Sequence, residues 1–387
     1  MAELSESVIK WFEKTRYDNS VKNQDNLQKV TVVIPSYNRQ SYLLRQIAYW
    51  HGSGVKLVIL DGTANPLPSS VLSIIQGRQD VCYLYLPISI EERLNQAEKH
   101  IRTDFVISLS DDEFFLKDAL SKIVTELEED PELAGCIGQS LGFDVDPASS
   151  TVLFRPGYQH WNYSATHSMP EDRLQYAMNP YSAATCYGVL RSKVWKAGWG
   201  DVLKSSCAYT PEIFQVMTTY ILGKYKAIDQ LFWLCSYENA PVVTSGWSRD
   251  YRFHEWWNDP KAKNEKQFFL DKLQNLIITN HDMDKDEALR MINSSISCYL
   301  NFIIDYYHQT FAQRTKTVFA KILRTILPLS LYNKLKAIAG FKVPSQLPLY
   351  PNAKYPWLGY TKSNNIEQVN DELQKIENFI LDFHKHV

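Results

Sequence analysis

The chain has 387 residues, with 41 Lys plus Arg against 43 Asp plus Glu for a net charge of −2, and is 45% hydrophobic and 22% charged. That length holds one large domain and an accessory part, and 15 Gly and 17 Pro in so apolar a chain exclude a collagenous, low-complexity or wholly disordered protein. The charge balance argues against a generic nucleic-acid binder, whose contact face carries a basic excess, so no nucleic-acid partner is expected.

The opening stretch, MAELSESVIKWFEKTRYDNS, carries Glu3 and Glu6 and no apolar run of signal-peptide length, so residues 1–28 read as a helical N-terminal segment. Nowhere do eighteen apolar residues follow one another, so no membrane-spanning helix is expected. The six cysteines, Cys82, Cys136, Cys186, Cys207, Cys235 and Cys298, are scattered without a CxxC pair and read as buried free thiols in a cytoplasmic protein.

From Lys29 the pattern alternates. Strand-like apolar runs at 30–34, 55–60, 81–86 and 105–109 are separated by helical stretches at about 40–50 and 90–100, and a further helix spans 117–129. Ser89-Ile-Glu-Glu92 is a capping box, in which a Ser oxygen and a Glu side chain three residues later satisfy helix-start N–H groups reciprocally. A fifth short strand is expected at 134–137. Apolar strands alternating with helices predict a parallel sheet covered on both faces, with ligands beyond the carboxyl ends of its strands. Residues 139–210, rich in Tyr, Trp, Ser and Pro, read as pocket-shaping loops, followed by a helix at 211–222, with Pro in its first turn, and a return strand at 225–235. Beyond about residue 264 the chain reads as helical, at 266–279, 285–309, 315–326 and 366–383.

The chemistry belongs at the strand ends. PSYNR follows the first strand, Asp61-Gly-Thr the second, and Ser110-Asp-Asp-Glu-Phe the fourth. The first loop lacks a Gly-rich phosphate cradle and a Walker lysine, which argues against a dinucleotide or triphosphate site. Three successive acids repel one another unless a cation or a helix terminus compensates. They fit either a hard divalent ion, held with a ligand's phosphates, or an acidic helix start.

VTVVIPSYNR, VILDGT, ERLNQA and DFVISLSDDEFF, in that order, resemble the nucleotide-sugar half of GT-A glycosyltransferases, most closely glycosyltransferase family 2. CYGVLRSKVWKAGW and TPEIFQVMTTYILGKYKAI resemble that family's acceptor side. The likeness covers roughly residues 29–255 and implies an α/β, Rossmann-like GT-A domain there, with residues 256–387 a mostly helical C-terminal extension. By that resemblance Pro35, Tyr37, Asn38 and Arg39 lie beside the nucleotide, Asp61 bonds the base, and Arg93 and Asn95 stand on the helix before the acidic motif. Ser110 and Asp111 border the nucleotide sugar, while Asp112, Glu113 and His254 hold a divalent metal, Mn²⁺ or Mg²⁺. Ser110 departs from the usual first Asp of the motif, and Glu113 stands where Asp is commoner. Arg249 and Arg252 would hold the diphosphate, a task suited to the fixed donor fork of Arg. Glu212 matches the family's catalytic base, with Asp172 as its rival. For most of these a structural reading also stands: Asp61 as a turn residue before Gly, Arg93 and Asn95 as solvated helix residues, Glu212 as a first-turn acid favouring the helix dipole, and His254 in a loop docked by Trp256 and Trp257.

The resemblance implies inverting transfer from a nucleotide-sugar donor, a UDP-sugar, to a glycan or lipid-linked glycan acceptor, in bacterial surface polysaccharide assembly. The alternatives are a non-catalytic nucleotide-sugar or glycan binder of the same fold, and a sugar nucleotidyltransferase. Between Tyr306 and Ile366 there are nine Lys or Arg and no acid, interleaved with apolar residues. That pattern fits either peripheral attachment to an anionic membrane surface, the inner face of the plasma membrane, or a solvated helical subdomain.

Overall fold

The structure, a computed structural model, describes residues 4–15, 17, 24–146, 150–157, 164–200, 205–239, 251–304 and 366–387. The helix expected at 315–326, the acid-free basic stretch and Arg249 lie outside the described residues.

Val30–Ser36 (β1), Lys56–Asp61 (β2), Val81–Tyr85 (β3) and Phe105–Ser108 (β4) form the parallel half of one sheet. The apolar runs of β1, β2 and β4 suit strands covered on both faces, and the helices Gln40–Tyr49, Ser69–Gln76 and Ile90–Ala97 connect the four. The capping box opens the last of these: the Ser89 hydroxyl accepts the Glu92 N–H and the Glu92 carboxylate accepts the Ser89 N–H, both at 3.3 Å.

The sheet continues through Phe114–Phe115 (β5), Leu133–Asp146 (β6), Thr151–Pro156 (β7), Val189–Arg191 (β8) and Lys224–Ser236 (β9). Nine strands run in the order β3-β2-β1-β4-β8-β6-β9-β5, with β7 paired to β6. This half is mixed, which corrects the expectation of a parallel sheet throughout. β8 runs antiparallel to both β4 and β6, β7 closes a hairpin on β6, and only β6 and β9 pair in parallel. β8 has three residues and sits too close to its neighbours to tolerate a side chain before it: a Cβ on Gly188 would lie 2.0 Å from the Tyr225 hydroxyl.

The two ends of the chain meet on the helix Gln40–Tyr49. Trp11, from the helix Glu6–Lys14, packs against Phe379 and Phe383 of the helix Ile366–His384, and its indole donates to Asp382 at 2.9 Å. Phe379 and Phe383 in turn meet Tyr49 and Tyr42. On the other side of the molecule the helix Lys263–Asn280 packs on the helix Thr210–Leu222, with Phe269 against Phe214. A further helix begins at residue 285 and is described to residue 304.

Candidate active site

The strand order reverses direction beside β1: β2 and β3 lie to one side and β4 to the other. At such a switch point the loops after the two strands part and leave a crevice beyond their carboxyl ends. Pro35 at the end of β1, together with Ser108 and Ser110 at the end of β4, lines a cavity of about 230 Å³ there. Leu94 and Trp199 form apolar wall, and Glu212 closes it from the first turn of the helix Thr210–Leu222. Trp199 holds its indole N–H buried with no acceptor among the described residues.

The acids after β4 are crowded and buried. The Ser36 hydroxyl donates to Asp111 at 2.7 Å, and one Arg39 nitrogen bridges Asp111 (3.3 Å) and Asp112 (3.0 Å). Asn239 also donates to Asp112, at 3.0 Å. Burial, and next the charge of Asp112, push Asp111 up to about 7. Burial pushes Asp112 up as well, against the pull of Arg39. Glu113 faces elsewhere: its carboxyl accepts the Trp233 indole N–H at 3.1 Å, and burial, then the charge of Asp112, push its pKa well above the ordinary carboxylate range. Among the described residues no group of three or more His, Cys, Asp or Glu is arranged to hold a metal ion.

Asp61 and Arg93 lie behind the cavity, at the ends of β1 and β2. Asp61 is fully buried and accepts Gln40 (2.9 Å), Tyr83 (2.7 Å) and the Thr63 N–H (2.9 Å). Arg93 is equally buried and donates to the carbonyls of Ser36 (2.6 Å) and Leu60 (3.0 Å), tying the ends of β1 and β2 together. A Cβ on Gly62 would meet this guanidinium at 2.6 Å, so the glycine is the space Arg93 occupies. Tyr37 and Asn95 are half-buried, and Asn38 is exposed with a left-handed φ of 57°, a conformation Asn tolerates, its N–H donating to Thr63.

Arg252 comes to the Glu212 side, donating to the Tyr209 hydroxyl at 2.8 Å just before the Glu212 helix. His254 follows on the short helix Phe253–Asn258, where Phe253 packs against Trp257, Phe269 and Tyr299. Asp172, the rival base, is exposed in the first turn of the helix Pro170–Met178 and is not among the residues lining the cavity. Sequence reasoning missed Tyr181, whose hydroxyl donates to Glu212 at 2.7 Å, as well as Trp199 and Asn239. Nothing local marks Tyr181 or Asn239, because each acts on a residue far away in the chain.

A switch-point crevice in a mixed α/β sheet, with Ser110 of the acidic loop and the Glu212 carboxylate both in its lining, belongs to a Rossmann-like fold of GT-A architecture. Residues 31–192 match the model of glycosyl transferase family 2. That match covers less than half of the chain, and within it the residues form a glycosyltransferase domain. Among solved structures it is similar to S. aureus TarS 1–349 in complex with UDP-GlcNAc, with 13% identity and a TM-score of 0.48 over 70% of this chain and 73% of that one. The same protein in complex with UDP is 12% identical, with a TM-score of 0.45 over 92% and 90% of the two chains. No curated protein matches the chain. No helix among the described residues is long and apolar enough to cross a membrane.

Proposed function

We propose that the chain transfers a sugar, with inversion, from a UDP-sugar to a hydroxyl of a glycan or lipid-linked glycan. The observation that carries this reading is that Ser110, at the head of the acidic motif, and Glu212 line one cavity. A sugar held there has the leaving diphosphate toward the acids and a proton acceptor on its other side. Glu212 takes the proton from the acceptor hydroxyl as that oxygen bonds to the anomeric carbon, and the bond from that carbon to the diphosphate oxygen breaks, releasing UDP. Arg252, Arg249 and Arg39 are the cations for the diphosphate. Pro35, Tyr37, Asn38 and Asn95 border the nucleotide. Asp61 and Arg93 hold the loop backbones that shape its site.

The donor set suits a Mg²⁺-type or Mn²⁺-type ion, which is usually bound by one or two carboxylates together with substrate phosphates. Asp112, beside Asp111, is the carboxylate that would hold it. Arg39 already gives this crowded pair one positive charge and would have to yield Asp112. When bound, such an ion neutralises charge on the departing diphosphate. The same reading sets the lipid-linked acceptor at an anionic membrane face, where the acid-free basic stretch would meet it.

The test is release of UDP from a panel of UDP-hexoses and UDP-N-acetylhexosamines with Mn²⁺ present. Wild-type protein turns over at least one donor, while Asp112→Ala and Glu212→Gln each lose about a hundredfold or more. Undiminished turnover in both variants would refute the site, and binding without turnover in the wild type would favour a non-catalytic binder.

A further inference from the structure

Resting on the reading of Glu212 as the base, we infer that Tyr181 is its positioning residue: its hydroxyl orients the Glu212 carboxylate and keeps it ionised. The two residues lie 31 positions apart, and their oxygens are 2.7 Å apart in a part-buried hydrogen bond. A carboxylate at the start of a helix has freedom to rotate. A donor fixed on Oε1 removes that freedom and sets the direction in which the carboxylate plane faces the cavity. Because the acceptor is an anion, the bond is charge-assisted and favours the ionised form, the form a base requires.

Tyr181 is built to donate and to stay in place. It is 9% exposed, and the edge of its ring stands against Tyr299 with centroids 4.9 Å apart and planes at 86°. An antiparallel bridge between Met178 and Tyr181 pins its backbone. Burial, and next the charge of Glu212, push its hydroxyl well above the ordinary tyrosine range, the direction that suits a donor. Tyr299 also meets Phe253 at 5.4 Å and 88°, next to Arg252. The helix described over residues 285–304 therefore braces both the base and the neighbouring cation. The C-terminal helical part takes part in the geometry of the catalytic end of the cavity.

The experiment compares Tyr181→Phe with wild type in the UDP-release assay, using the donor that wild type turns over best, across pH 5 to 9. Removing a hydrogen bond to a charged group is expected to lower kcat about tenfold to a hundredfold. The donor KM stays within about twofold, because uniform binding is untouched. The acid limb of kcat/KM moves up by about one pH unit, since each unit corresponds to the interaction lost from the ionised form. A merely structural role for Tyr181 would lower the amount of active protein without moving that limb.

An unmoved limb with kcat near wild type, in a background where Glu212→Gln is inactive, overturns the inference and leaves the base in place. Full turnover in Glu212→Gln removes the base itself, and the inference with it. Should Tyr181→Phe fail to fold, Tyr299→Leu, which loosens the tyrosine without touching Glu212, carries the same test. An upward shift of the limb there supports the inference, and an unmoved limb overturns it.

Discussion

Glu238 contributes a charge beneath the acidic loop rather than in the cavity. It lies in the core beside β9, and both nitrogens at the end of Arg45 donate to it, at 3.1 and 2.8 Å. Arg45, itself fully buried, passes a third bond to the carbonyl of Asp112 at 2.9 Å and stacks its guanidinium on Tyr42, Phe114 and Phe383. Burial alone would raise Glu238, but Arg45 and His384 more than offset it and hold the carboxyl at about 2. Its pKa is depressed on folding, so Glu238 contributes stability that is complete above its unfolded value near 4.5 and is lost as pH falls toward 2. Glu238→Gln leaves Arg45 as an uncompensated buried cation, a loss of about 3–5 kcal/mol. Urea titrations at pH 7 measure that loss, and melts from pH 6 down to pH 2 should show a flatter acid limb in the variant. A stability profile parallel to wild type over that window would mean that Glu238 is not the group that titrates.

The helix Ile366–His384 connects this charge to the hydrophobic core. Val369, Leu373, Ile376, Ile380 and Phe383 are buried at helical spacing, and Phe379 enters a cluster of Trp11, Tyr17, Tyr49 and Phe114. Phe379→Ala removes one ring from four aromatic neighbours and should cost about 3–5 kcal/mol by chemical denaturation. A loss below about 1 kcal/mol would mean that the terminal helix is only loosely docked. Elements of this kind were readable in advance because the spacing lies within one segment: the apolar period of the last helix, the capping box at Ser89 and the apolar runs of β1 to β4 each stand on neighbouring residues. The mixed half of the sheet was not. After Ile137 the sequence reads Gly-Gln-Ser-Leu-Gly, without an apolar run, yet β6 continues to Asp146 because β9 and β7 pair with it across register shifts. β8 spans three residues and carries no periodicity to detect. At the site, the helix-start position of Glu212 was visible from Pro211. The Tyr181 bond, the Asn239 bond to Asp112 and the turn of Glu113 toward Trp233 were not, since partners 31, 127 and 120 residues apart meet only in the fold.

For the molecule as a whole, the folded state without ligand carries two adjacent carboxylates in a buried crevice, with Asp111 raised to about 7 and Arg39 as their bridging cation. A protein near neutral overall, with a net charge of −2, gives no long-range field to offset that local excess. Ligands that bring positive charge to the pair should therefore bind the native state and raise its melting temperature. For one site the gain follows RT ln(1 + [L]/Kd), about 2.7 kcal/mol at a hundred times Kd. Two outcomes distinguish the ways the fold can neutralise its acids. If a divalent ion does so, UDP with Mn²⁺ raises the melting temperature by a few degrees more than the sum of either alone, and Asp112→Asn removes that extra increment. If Arg39 does so unaided, UDP alone gives the whole shift, chelator leaves it unchanged, and Arg39→Met removes it. The arrangement favours the first outcome: Arg39, 3.3 and 3.0 Å from the two carboxylates, brings one positive charge to a pair of acids and leaves room for a cation arriving with the diphosphate.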